Sequence, residues 1–258
     1  MRASSWNGTK RMSGSVARRL AAALLPAALV LAGAPAPAAA QGVDLTPPAA
    51  RASGASDSPA WHGALADSLR LLALEHGIRL FQERTRVELR GPFVRDYLRS
   101  IHGPRTWEDG DNWMVNYLGH PIHGAAASRV WLDHSVKGRQ LELSLSPSYW
   151  ASRGRAAAFG AIYSIQFEFG PVSEASIGNV GMRPGTTGWV DHVVTPAGAF
   201  AFTVAEDALD KYFVQFVERH TGNAFLRASV RMLFSPSWTM ANLAEGRTPW
   251  HRPTRPIR

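Results

Sequence analysis

The sequence predicts an all-α fold, a compact bundle of about five or six helices with Gly- and Pro-kinked central members. Three observations predict it. Apolar residues recur at steps of three and four in successive windows, the period of one helix face. No stretch alternates long enough to supply several strands, and no internal repeat points to a solenoid. Small residues gather inside the apolar windows, as in "GHPIHGAAA" at 119–127, where one helix backbone can approach another.

The first 40 of the 258 residues stand apart from this fold. Arg2, Lys10, Arg11, Arg18 and Arg19 form a basic leader without acids. The apolar run "LAAALLPAALVLAGA" follows, and Ala38 to Ala40 offer a small-residue cleavage pattern before Gln41. This is the arrangement of a secretory signal peptide. It predicts a chain exported to the periplasm or a cell-envelope membrane. Residues 41–59 are rich in Pro, Ala and Ser and read as a disordered linker. The helical domain then spans 60–240, and 241–258 form a basic, Pro-rich tail expected to be solvated.

The whole chain carries a formal charge of +8, but without the leader 23 Lys and Arg face 20 Asp and Glu, which leaves +3. No basic stripe alternates with aromatics, so nucleic acid is not an expected partner. The absence of cysteine excludes disulfides and thiolate chemistry. Roughly 170 residues suffice for one core without such staples.

The helices follow in order. The first is expected over 61–84, with Leu65, Leu69, Leu72, His76 and Leu80 on its apolar face. A short second one follows at 91–101, with Pro92 at its start. The third spans 107–132, with Asp111 or Asn112 as its cap and Pro121 as an internal kink. The fourth, 153–169, is apolar almost all round until Glu168, yet short of the roughly 20 apolar residues a bilayer span needs. The loop at 170–188 is dense in Gly, Pro and Ser, and the amides of "GPVSEASIGN" at 170–179 are a candidate anion cradle. The fifth helix covers 189–220 and contains Pro196; the last covers 223–234 and ends at Ser235-Pro236.

Ionisable groups converge on these apolar elements. Asn116, His120 and His123 share one face of the third helix by their spacing of four and three. Asp191, Thr195, Gly198, Phe202 and Glu206 share a face of the fifth, and Glu168 closes the fourth. Two readings stand. In the first, Asn116, His120, His123, Glu168, Asp191 and Thr195 form a buried polar seam whose members satisfy one another. That reading directs His120 at Glu168 or Asp191, favours its charged form, and gives His120 more weight in stability than His123. In the second, His120, His123, Glu168 and Asp191 hold a divalent metal such as Zn or Mn. Its bound water would be a hydrolytic nucleophile, with His120, Glu168 and Asp191 as catalytic candidates. The helical zinc-protease pattern, with His residues four apart, is absent. Ser128, Ser173 and Ser176 lie in no nucleophile elbow, so a serine hydrolase is not expected.

The segments "VNYLGHPIHGAAA", "FGPVSEASIGN" and "GWVDHVVTPAGAFAFTVAEDALDKY" resemble the bacterial family called domain of unknown function 3943, over about residues 107–215. The family motif is Asn-Tyr-x-Gly-His-Pro, then a Glu-containing helix, then an Asp-x-x-x-Thr-Pro-x-Gly-Gly-like motif. Here Ala199 stands where a second Gly is usual, and "SVKGRQLELSLSPSYW" resembles an insertion. The order of His, Glu and Asp helices is also loosely similar to VanZ-like membrane proteins. The resemblance implies an envelope-associated helical protein and supplies no reaction.

The expectation is therefore a membrane-associated envelope bundle, structural in role or binding membrane lipid or another envelope protein. Its abundant Trp and Tyr read either as core or as a belt at the headgroup level. It needs no cofactor. The alternative is a metal-dependent hydrolase or transferase acting on a lipid or cell-wall substrate.

Overall fold

The computed structural model describes residues 59–102, 106–109, 111–176 and 188–257. The leader, the linker up to residue 58 and residues 177–187 of the Gly-rich loop lie outside the described residues. The described part is all helical. Among the described residues there is no strand, only an isolated bridge between Thr106 and Gly188.

The elements are α1 (Trp61–Arg79), α2 (Glu83–Glu88), α3 (Phe93–His102), α4 (His120–His134), α5 (Val136–Gln140), α6 (Pro147–Phe169), α7 (Val190–Leu209), α8 (Gln215–His220), α9 (Ala224–Phe234) and α10 (Pro236–Ala244). One wide, π-type turn at Val115–Gly119 leads into α4, and another at Asp210–Val214 joins α7 to α8. Side-chain caps start α6 and α9: Ser146 accepts from the Tyr149 amide and Asn223 from the Leu226 amide.

Helices α4, α6 and α7 make the centre, and they meet at glycines. A Cβ on Gly124 would fall 2.8 Å from the Ala199 Cβ and the Thr195 Cγ2. One on Gly160 would fall 2.7 Å from the Gly124 carbonyl oxygen, and one on Gly198 within 2.6 Å of Pro121. Gly119 plays no such part, because its nearest neighbour is a carbonyl of its own turn at 3.7 Å. Leu71, Leu72, Val130, Tyr163 and Phe167 close the core from α1, α4 and α6, and Ala241 and Ala244 of α10 complete it.

Several elements depart from expectation. The buried side of α1 is Ala64, Asp67, Ser68, Leu71, Leu72, Glu75 and His76, whereas Leu65 and Leu69 face outward. Three of its polar members have hydrogen-bond partners: Asp67 meets His134 and Glu75 meets His123, each at 2.8 Å, and the Ser68 hydroxyl donates to the Ala64 carbonyl, whereas His76 packs edge-on against Phe167. The chain breaks after Arg79 instead of running on to 84, and α2 follows. Pro236 does not end the helical region. It sits in the first turn of α10, where its missing N–H costs nothing.

The basic tail is not solvated. Arg231 donates to the Trp250 and Arg255 carbonyls at 2.9 and 2.7 Å, and Asn242 donates to the Pro249 and His251 carbonyls. Arg255 pairs with Asp210 and Glu218, and Arg252 is buried. Arg247 and Arg255 are paired with acids, so the tail's composition alone misrepresents it.

The aromatics divide. Trp131 and Tyr149 are core, whereas Trp61, Trp107, Trp113, Trp189 and Tyr212 are exposed. No helix among the described residues is long and apolar enough to cross a membrane.

Candidate metal centre

Each candidate side chain sits near the end of a central helix. His120 opens α4 immediately after the wide turn, and its own amide donates five residues back, to Val115. That widened register accommodates Pro121, which has no N–H to return. The expected kink is therefore a π-type turn before an uninterrupted α4. The cap is Asn112, whose Oδ1 accepts from the Val115 amide. Glu168 lies in the last turn of α6 and Asp191 in the first turn of α7. Residues 106–109 are tied over the start of α7 by two bonds. The Trp189 amide donates to the Thr106 carbonyl at 2.7 Å, and the Val190 amide to the Trp107 carbonyl at 3.1 Å.

These elements bring His120, Glu168 and Asp191 together. One ligating atom from each lies within 4.8 Å of the others, and all three side chains are buried. His120 Nε2 is 3.4 Å from Asp191 Oδ1. Asp109 and Asp111 form a second group of the same kind around His120. Asp109 Oδ1 accepts from the Asn116 amide nitrogen Nδ2 at 2.8 Å and from the Asp111 backbone at 2.9 Å. The cation at the edge is Arg79, 3.1 Å from Glu174 and 3.6 Å from Asp111.

Burial sets the charge states. It lowers His120 to about 3, and the nearby His123 and Arg79 add to the effect. Burial, then Asp191 and Glu174, push Glu168 well above the carboxylate range. Burial, then Asp109, push Asp191 up to about 8. At neutral pH the 3.4 Å contact joins a neutral imidazole to a protonated carboxyl, not an ion pair. This overturns the expectation that a carboxylate favours the charged ring, because desolvation outweighs the neighbour.

Nor do the six seam residues satisfy one another. Asn116 turns to Asp109. Glu168 Oε1, Asp191 Oδ1, Asn116 Oδ1 and Thr195 Oγ1 are buried without a hydrogen-bond partner. Unmatched acceptors of this kind are costly in a core and call for an explanation. A cation supplies one. A neutral imidazole and two carboxylates are the donor set of Zn²⁺, Mn²⁺ or Fe²⁺.

His123 leaves the set. Its Nδ1 lies 2.8 Å from Glu75 Oε1, and the Tyr163 hydroxyl donates to Glu75 Oε2 at 2.8 Å. It belongs to no group within ligating reach among the described residues. Glu75, Tyr163, Asp109 and Arg79 are the residues that sequence reasoning missed. The pattern held a signal for Glu75 alone: it stands on the α1 face shared by Asp67, Ser68, Leu71 and Leu72.

The remaining candidates are occupied elsewhere. The Ser128 hydroxyl donates to the Gly124 carbonyl. The Ser173 and Ser176 amides each donate to the other's hydroxyl, and the Glu174 and Ala175 amides donate to the Phe167 and Glu168 carbonyls. The amides of 173–176 therefore have no capacity to cradle an anion.

Compared with family models, curated proteins and solved structures, the chain matches none.

Proposed function

We propose that this chain is an exported cell-envelope protein that holds a divalent cation between His120, Glu168 and Asp191. The cation ties α4, α6 and α7 together. One observation carries the reading: ligating atoms from three helices converge within 4.8 Å, and Glu168 and Asp191 each present a buried oxygen that no donor meets. A divalent cation would displace the proton from Asp191, take an oxygen of Glu168 and accept a lone pair from the neutral imidazole. Atomic emission on the protein purified from Gln41 onward should find about one ion per chain, lost in His120→Ala and Asp191→Asn. Chelation should lower the melting temperature, and Zn²⁺ or Mn²⁺ should restore it. A metal-free protein whose melting point ignores both ions would sink the proposal.

A hydrolytic role is the second reading. It is favoured by the ligand count, because three protein ligands leave a coordination position for water. Release of p-nitrophenol from phosphate and acyl esters, present with the ion and absent after chelation, would support it. Association with a membrane surface rests on the exposed Trp61, Trp107, Trp113 and Trp189, side chains that suit the headgroup level. Complete recovery in the periplasmic fraction without salt or detergent would exclude that part.

A further inference from the structure

Away from the metal centre, a second polar core surrounds Asp207 at the far end of α7. The two sites are about 24 Å apart along the helix, at 1.5 Å per residue from Asp191. Arg129 Nη1 and Arg153 Nε both donate to Asp207 at 2.7 Å, and the Tyr149 hydroxyl donates to it at 2.9 Å. Arg129 also reaches the Thr203 carbonyl and Glu206, while Arg153 spends its other nitrogens on the Gly138 and Leu141 carbonyls. Arg153 is fully accounted for, as is Arg129 save for its Nε.

Arg252 is not. Its side chain is 2% exposed and its guanidinium lies 3.6 Å from the Trp238 ring centroid. Nη1 donates to the neighbouring His251 carbonyl, but Nε and Nη2 have no hydrogen-bond partner. Asp210 faces Nε with Oδ1 at 3.6 Å, an ion pair too long for a hydrogen bond, and its Oδ2 is held by Arg255. Burial, opposed by Asp210 and reinforced by Arg129, Arg231 and Arg255, draws this guanidinium down to about 9. A buried guanidinium with two idle donor nitrogens is short of an acceptor.

Arg252 lines a cavity of about 160 Å³. Six cations line it, namely Arg129, Arg139, Arg153, Lys211, Arg252 and Arg255, against four carboxylates. The surplus is two positive charges, and Thr254 and Gln215 add neutral donors at the wall. We infer that this cavity binds a compact dianionic oxyanion, a phosphate either free or as a monoester headgroup, with Arg252 as its principal donor. The planar fork of Arg252 suits two oxygens of such a group, and Trp238 holds the fork in one plane.

The test is titration of the chelator-treated protein, so that phosphate cannot report on a cation at the first site. Inorganic phosphate should bind at one site per chain and alter Trp fluorescence, whereas chloride at matched ionic strength should not. Arg252→Gln should weaken phosphate at least tenfold. If that variant fails to fold by circular dichroism, Arg139→Glu, at an exposed position on the rim, should weaken it several-fold. Vesicles of phosphatidylcholine with phosphatidic acid separate the sources. Binding to them that free phosphate competes away assigns a headgroup, and binding of free phosphate alone assigns the free ion. No saturable binding of phosphate or of phosphatidic acid vesicles overturns the inference. So does phosphate affinity that a folded Arg252→Gln or Arg139→Glu leaves unchanged.

Discussion

His120 Nε2 stands 3.4 Å from Asp191 Oδ1, and burial keeps the imidazole unprotonated and the carboxyl protonated at neutral pH. Two groups that would pair in water are held uncharged, beside a Glu168 that burial pushes well above its ordinary carboxylate range. The contact links α4 to α7 without the strength of a salt bridge. That makes the site sensitive both to pH and to any cation that replaces the protons.

The pH dependence has a defined sign. Asp191 is raised from its ordinary 3.8 to about 8. Its contribution to stability is fully present below the unfolded value and is lost as pH rises through about 8. Urea unfolding in chelator should show stability falling from pH 5 to 8.5, by at most about 1.4 kcal/mol per pH unit for one group. Asp191→Asn should flatten that slope, and a bound divalent ion should reverse part of it. A slope identical in the variant would assign it to other groups.

The two histidines should exchange the order that the sequence suggests. His123→Leu strands the buried Glu75 with only the Tyr163 hydroxyl and should cost about 1–3 kcal/mol. His120→Leu replaces a neutral ring that meets Asp191 without an aligned hydrogen bond, and in chelator it should cost less. Denaturation midpoints of both variants decide the order.

Gly160→Ala should destabilise by about 1–3 kcal/mol, because the new Cβ would lie 2.7 Å from the Gly124 carbonyl oxygen, a backbone atom that cannot swing aside. Gly154→Ala on the same helix meets nothing within 4 Å. It should be stabilising by up to about 1 kcal/mol through helix propensity. Thermal melts of the pair separate close approach from a general intolerance of substitution in α6.

Asp207→Ala should be among the most damaging single changes in the chain. It would leave Arg129 and Arg153 buried without their shared carboxylate, at a cost of about 3–5 kcal/mol. Burial opposes the charge on Asp207, but the two arginines prevail and hold it below its ordinary value. Its contribution is therefore present above pH about 4 and lost only in stronger acid. Unfolding of the variant at pH 7 measures the cost directly.

The sequence by itself determined the helical class, because apolar spacing at three and four is a property of neighbouring residues and needs no distant partner. It also narrowed the cap to Asp111 or Asn112 and placed His120, Glu168 and Asp191 in separate helices, with Glu168 and Asp191 near helix ends, but it put His120 in mid-helix where the structure starts α4. Tertiary structure alone decided the rest. Asp67 and Glu75 turn inward on α1 only because His134, His123 and Tyr163 wait there, 48 to 88 residues away in the chain. No local pattern carries that, since a buried acid and an exposed one look alike until the partner is in place. The same holds for Arg252, which composition assigns to a solvated tail and which the fold buries against Trp238. The charge states of His120 and Asp191 were beyond the sequence for a related reason. Desolvation depends on how completely three helices close around a group, and glycines at 124, 160 and 198 let them close.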